Sequence, residues 1–287
     1  MIYNYVTELS RLLYVNILAY DYTGYGLGTI NPENIQNKVV ESSEENCYAD
    51  IEAAYNHLTN VKKVDPRTII LYGRSVGSGP SCYLAQKVGL EIGENGLGGM
   101  ILHSPFVSVC RVVIDLGIEN RYDIFPNVSR VKDIMCPTFI IHGTKDGVVP
   151  FHHGKMLYEN LSDEIRYKPF WAESMGHNNI ESDMCSLFIK KLQRFFLFLI
   201  KNQAQAKEIQ EEQSRKRRKR QVEILINSVP DIEEEEMLPK AKLYRQKSPT
   251  SVLEADQQTL VFDGILPHIN IPSSIEFGEI ECSIIPE

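Results

Sequence analysis

Five short apolar runs alternate with stretches of helical periodicity along the first 200 residues, and this alternation restricts the folds open to the chain more than any other feature. The runs occupy residues 16–21 (NILAYD), 68–73 (TIILYG), 99–104 (GMILHS), 138–143 (TFIIHG) and 166–171 (RYKPFW), each bounded by turn residues. Continuous apolar runs of this length read as strands buried on both faces. Helical patterns lie between them over residues 44–61, 76–88, 123–133 and 153–161, with another over 179–200. Strand and helix in alternation predict βαβ units, and so an α/β chain with a mostly parallel sheet covered by helices on both faces. Ser42 with Glu45 fits a capping box at the start of the first of these helices.

Beyond residue 200 the apolar periodicity stops and Gln, Glu, Lys and Arg dominate. The expected organisation is a folded domain over residues 1–200 and a charged, disordered tail over 201–287. The tail holds a basic run, RKRRKR, opening at Arg215 and closing at Arg220, and then four consecutive glutamates ending at Glu236. The basic run has the composition of a nuclear-import signal or of a peripheral contact with an anionic membrane; its plainest reading is a solvated segment continuing the last helix. A formal charge of −8 over the whole chain disfavours nucleic acid as a partner, because a phosphate backbone would be repelled. Cys47, Cys82, Cys110, Cys136, Cys185 and Cys282 show no CxxC spacing, which argues against a zinc ribbon, and read as reduced thiols of an intracellular, cytoplasmic or membrane-peripheral protein. The most apolar stretch, residues 187–200, contains Lys190, Lys191 and Arg194 and falls short of the roughly 20 apolar residues of a membrane span.

Gly73-Arg74-Ser75-Val76-Gly77 fits the pattern G-x-S-x-G and lies between an expected strand and an expected helix. In that setting the serine occupies a sharp, strained turn, with Gly73 and Gly77 omitting side chains that would collide with the flanking strand and helix. Ser75 is therefore the candidate nucleophile, and the Val76 amide, at the start of the helix, the candidate oxyanion donor. A serine hydroxyl needs a base to take its proton and a carboxylate to orient that base. Asp146 follows the run TFIIHG, and His177 follows the last run, so acid and base come in the order Ser, Asp, His just past strand ends. His57, His142, His152 and His153 lie within or at the start of expected elements and read as packed or surface residues, whereas His103 ends a strand near the same crevice. Asp133 and Asp163 compete weakly with Asp146.

The segments YDYTGYG (residues 20–26), YADIEAAY (48–55), IILYGRSVGSGP (69–80), ILHSPFVS (101–108), IHGTKDGVVPFHHG (141–154) and GHNNIE (176–181) resemble the alpha/beta hydrolase domain-containing protein 17 family. The resemblance covers roughly residues 16–200 and implies an α/β-hydrolase fold. It also implies a serine hydrolase that removes palmitate from S-acylated cysteines of membrane-associated proteins, with nucleophile, acid and base falling on Ser75, Asp146 and His177. S-acylated proteins are then the expected partners, and neither cofactor nor metal is expected. The family has a strand region ending in an HGN-type loop before the stretch matching residues 3–21, and that loop supplies its second oxyanion donor. The expectation is therefore an α/β-hydrolase domain lacking its N-terminal strands, with the natural protein beginning further upstream. The family's cysteine-rich leader, palmitoylated for membrane attachment, likewise finds no match. Two alternatives stand beside the thioesterase reading: a carboxylesterase or lipase-like enzyme using the same three residues, and an inactive, truncated binding module. The stretch over residues 109–127, with Val112, Val113, Ile114, Leu116 and Ile118, fits either a lid over an acyl pocket or core packing.

Overall fold

The computed structural model describes residues 2–26, 41–93, 96–113 and 123–228. The chain divides into two compact units, the first running to Ala204 and the second beginning at Gln205. The first unit is built on a four-stranded, wholly parallel sheet of order β1-β2-β3-β4, comprising β1 (Ile70–Arg74), β2 (Gly99–His103), β3 (Thr138–Gly143) and β4 (Phe170–Ala172). The register sets Tyr72 opposite Ile101, Ile101 opposite Phe139, and Ile141 opposite Phe170. Every residue of β2 and β3 is buried, as continuous apolar runs between two helical layers must be.

Helices connect the strands: α2 (Glu44–Asn56), ending in a π-helical turn (His57–Val61), precedes β1, and α3 (Ser78–Ile92) follows it. Two short helices, α4 (Val109–Val113) and α5 (Asn127–Arg130), lie between β2 and β3, and α6 (Phe151–Asn160) follows β3. After β4 come α7 (Ile180–Asp183) and α8 (Cys185–Ser228), while α1 (Ile2–Leu13) opens the chain. The first turns of α8 bury Phe188, Leu192, Phe195 and Leu199, a stripe at spacings of three and four residues. Phe195 packs on Phe139 of β3 with ring centroids 5.3 Å apart, and the Leu199 methyls fill the space left by Gly99, where a Cβ would come within 2.9 Å of them. A second core, around Leu84, Val88, Leu102, Val131 and Leu157, covers the sheet with α3 and α6. The α1 backbone is tied to α8 where Gln193 Nε2 donates to the Leu12 carbonyl at 3.1 Å, satisfying an acceptor orphaned at the helix end.

Several expectations need correction. Residues 16–21 form no strand: the segment is largely exposed and enters no ladder, and β1 lies at the sheet edge among the described residues. A β-prone run becomes a strand only where a neighbour accepts and donates its backbone hydrogen bonds, so sequence pattern alone overstates it. The last strand is three residues long, and Arg166 joins the sheet only through an isolated bridge to Thr138. The cap of α2 is Ser43, whose side chain accepts from the Asn46 amide at 3.1 Å, and not Ser42. Cys47, Cys82, Cys110 and Cys136 are free thiols, whereas Cys185 is disulfide-bonded and departs from the expectation of reduced cysteines. The basic run lies on α8, with Arg215 and Lys216 paired one turn back to Glu211 and Glu212. Residues 229–287 of the expected tail, and Ile114, Leu116 and Ile118 of the expected lid, lie outside the described residues. Among the described residues no helix is long and apolar enough to cross a membrane.

Candidate active site

The parallel strands all end on one edge of the sheet, and the loops leaving those ends bring the three sequence-predicted residues together. Ser75 opens a single 3-10 turn (Ser75–Gly77) between β1 and α3 and holds a positive φ of 51°, a conformation that a non-glycine residue adopts only under constraint. The constraint is visible in the packing. A Cβ on Gly73 would come within 2.5 Å of both the Gly77 carbonyl oxygen and Ser81 Oγ, so only glycine lets strand and helix approach this closely. The second glycine is less tightly enclosed than the motif suggests, since a Cβ on Gly77 would make only an ordinary 3.4 Å contact with the Tyr22 hydroxyl. Ser78 Oγ donates to the Ser75 carbonyl at 2.7 Å and closes the turn. Val76 lies in that turn, its side chain exposed and its amide within the first residues of the helical segment.

Asp146 sits in the turn after β3. Its Oδ1 accepts from the Val148 and Val149 amides at 2.9 and 2.8 Å, which leaves Oδ2 free to accept from His177 Nδ1 at 2.7 Å. Burial raises the pKa of Asp146, but hydrogen bonds from His142, His177 and the Val149 and Val148 amides outweigh it and hold the carboxyl far below the usual carboxylate range. His142, on β3, donates through Nε2 to the Val149 carbonyl (2.9 Å) and lies 3.4 Å from Asp146 Oδ2, so the packed histidine also buttresses Asp146.

His177 lies in the loop after β4, with its Nε2 3.0 Å from Ser75 Oγ. An ionised Asp146 can only accept, so the imidazole proton resides on Nδ1 and Nε2 is left to accept from the Ser75 hydroxyl. An imidazole held in this tautomer between a hydroxyl and a buried carboxylate can take the hydroxyl proton as that oxygen attacks a carbonyl carbon. Close packing puts the loop there: a Cβ on Gly143 would lie 2.3 Å from the Met175 carbonyl oxygen and 2.5 Å from that of Gly176. The Lys145 amide donates to the Met175 carbonyl at 2.9 Å, and the Ser174 amide to Thr144 Oγ1 at 2.8 Å.

His103 is close but turned away. It is fully buried at the end of β2, with Nδ1 2.8 Å from the Tyr72 hydroxyl, and burial together with the positive charge of Arg74 depresses its pKa to about 3. Asp133 bonds Gln86 and Asp163 pairs with Arg166, so neither enters the site. Sequence reasoning missed Arg74, Asn178 and Glu181: Arg74 Nη2 donates to the His177 carbonyl at 3.1 Å and to Asn178 Oδ1 at 2.9 Å, and its Nε lies 3.0 Å from Glu181 Oε1. The available signals were the place of Arg74 inside the G-x-S-x-G motif and of Asn178 and Glu181 inside the segment GHNNIE. An apolar cluster of Cys47, Phe106, Phe125 and Val149, joined by Tyr22, Tyr48, Val109 and Val112, adjoins this region. It meets the elbow helix where Phe125 occupies the space in front of Gly79, and the acid where Val149 donates its amide to Asp146.

A human alpha/beta hydrolase domain-containing protein 17C is 35% identical to the chain over 188 residues, which are 65% of this chain and 51% of that protein. The chain is similar to members of the alpha/beta hydrolase domain-containing protein 17 family. The family's aho-3 protein of Caenorhabditis elegans is 36% identical over 67% of this chain and 52% of its own length. A chain of Acanthamoeba polyphaga mimivirus named as an alpha/beta hydrolase is 37% identical over 62% of each. The chain thus spans about half to three-fifths of the length of these relatives, and its fold is that of the α/β hydrolases they are named for. No protein-family model matches the chain.

Proposed function

We propose that the chain is a serine hydrolase that cleaves long-chain acyl thioesters, palmitoyl groups above all, from S-acylated proteins. The observation that carries the hydrolase reading is the line of hydrogen bonds from Ser75 Oγ through both nitrogens of His177 to Asp146, at 3.0 and 2.7 Å. His177 Nε2 takes the hydroxyl proton as Ser75 Oγ bonds to the thioester carbonyl carbon, and Asp146 stabilises the imidazolium so formed. The tetrahedral oxyanion lies against the Val76 amide. Its collapse breaks the C–S bond, and the proton on His177 passes to the departing cysteine sulfur. Water, deprotonated by the same Nε2, then attacks the acyl-serine and releases the fatty acid. Every step uses side chains, one backbone amide and water.

The thioester substrate draws support from the family resemblance. A thiolate leaves readily, so this chemistry also asks less of the general acid than amide cleavage. The test is labelling of the purified chain by a fluorophosphonate, which phosphonylates only an activated serine, followed by turnover of acyl thioesters and oxygen esters of matched chain length. Labelling lost in Ser75→Ala, with faster turnover of C16 than of short-chain thioesters, is the expected result. Preference for short oxygen esters would make the enzyme a carboxylesterase, and absence of labelling would leave a binding module.

A further inference from the structure

We propose that Arg74, the residue immediately before the nucleophile, is a positioning residue that clasps the loop bearing His177, with Glu181 as its counter-charge. The inference rests on Ser75 and His177 being nucleophile and base. The base loop joins β4 to α7, and the bonds described above from Lys145 and Thr144, with the close approach at Gly143, attach it to the end of β3. All of these attachments lie on the side of the acid, and set the loop relative to Asp146. Proton transfer depends on a different distance, from His177 Nε2 to an oxygen on the far side of β2, because Ser75 leaves β1 and Asp146 leaves β3.

Arg74 spans that gap. Its Nη2 reaches both the His177 carbonyl and Asn178 Oδ1, at 3.1 and 2.9 Å. Because Arg74 and Ser75 are consecutive, these bonds reference the base loop to the nucleophile's own backbone. A planar guanidinium can do this while its charge stays beside a carboxylate, an ion pair without a hydrogen bond at Nε, and a lysine ammonium on a flexible stem lacks the fork that reaches both acceptors. That carboxylate is Glu181, on α7 directly after the loop, 3.0 Å away and with its side chain only 13% exposed. The ion pair therefore closes a ring running from Arg74 to His177, along the chain to Glu181, and back.

The experiment compares the full chain with its Arg74→Ala, Arg74→Gln and Arg74→Lys variants. It measures kcat and KM on one acyl ester, the fluorophosphonate labelling rate, and the melting temperature, with rates expressed per labelled site. Arg74→Ala is expected to lower kcat and the labelling rate on the order of 10- to 100-fold, the loss typical of a misplaced reacting group, with KM changed less than about two-fold. Arg74→Gln is expected to recover part of that loss, because its amide can still donate to the His177 carbonyl. Arg74→Lys carries the test should the alanine variant not fold, and is expected to lose kcat at a near-native melting temperature. A lower melting temperature with unchanged per-site kcat in these variants would overturn the proposal and leave Arg74 a structural staple. A wild-type chain that does not label removes the hydrolase reading, and the positioning role with it.

Discussion

Asp146 Oδ2 accepts from His177 Nδ1, with His142 Nε2 3.4 Å away, because Oδ1 is taken up by two backbone amides. Asp146→Asn keeps the size and both amide contacts, yet it can place an NH2 where an acceptor is needed, and this favours the imidazole tautomer with its proton on Nε2. That nitrogen then faces the Ser75 hydroxyl as a donor and cannot act as a base. The expected outcome is a loss of kcat on the order of 10⁴-fold with little change in KM, measured on the same acyl ester used to show wild-type turnover. Retention of more than about a tenth of kcat would mean that another carboxylate orients the base. Ser75, Asp146 and His177 were legible in sequence because each follows an apolar run that ends in the same crevice, and chain order carries that information. Arg74, Asn178 and Glu181 were not, since their significance lies in one guanidinium meeting a carbonyl and two side chains across about 100 residues of chain, which no local pattern encodes.

Loops are placed by the elements they pack on, and the site depends on close approaches of that kind at Gly73 and Gly143. Gly143→Ala would push a methyl group to 2.3 Å from the Met175 carbonyl oxygen, where backbone cannot yield cheaply. The expected result is a destabilisation of about 1–3 kcal/mol in denaturant unfolding and a slower labelling rate per folded molecule, because the base loop must lift. Gly147, next to Asp146, has no atom within 4 Å of where a Cβ would lie and no positive φ, so Gly147→Ala is expected to be neutral or to stabilise by up to about 1 kcal/mol. Equal effects in the two variants would show that close approach at β3 does not position the loop. Strands β2 and β3 could be read from sequence because burial on both faces leaves an unbroken apolar run. The run NILAYD has the same local signature and is not a strand, because pairing is a property of neighbours and not of the segment. The contrast separates what composition determines, which is burial, from what topology determines, which is the ladder.

The acid response of the whole molecule combines two buried groups with opposite protonation and different pH windows. His103 is held neutral by burial and by the nearby positive charge of Arg74, with a folded pKa of about 3 against about 6.5 in the unfolded chain. As pH falls between those values the unfolded chain binds a proton that the folded one excludes, so stability declines through that window and is unaffected by this group above it. Asp146 has a depressed folded pKa, so its contribution is complete above an unfolded value of about 3.9 and is lost only as pH falls below it. Of these two groups the histidine acts between about pH 6.5 and pH 4 and Asp146 below about pH 4, where Glu52, held down by Lys87 and Tyr83, adds to the loss. His103→Gln, which can still accept from the Tyr72 hydroxyl, is expected to flatten the melting-temperature profile from pH 6.5 to 4, relative to the wild-type chain. In the same scan Asp146→Asn should run parallel to the wild type above about pH 5 and diverge only in stronger acid. Parallel curves for His103→Gln and the wild type throughout would mean that the buried imidazole is protonated in the fold, with Glu181, 3.6 Å from its Nδ1, as its partner.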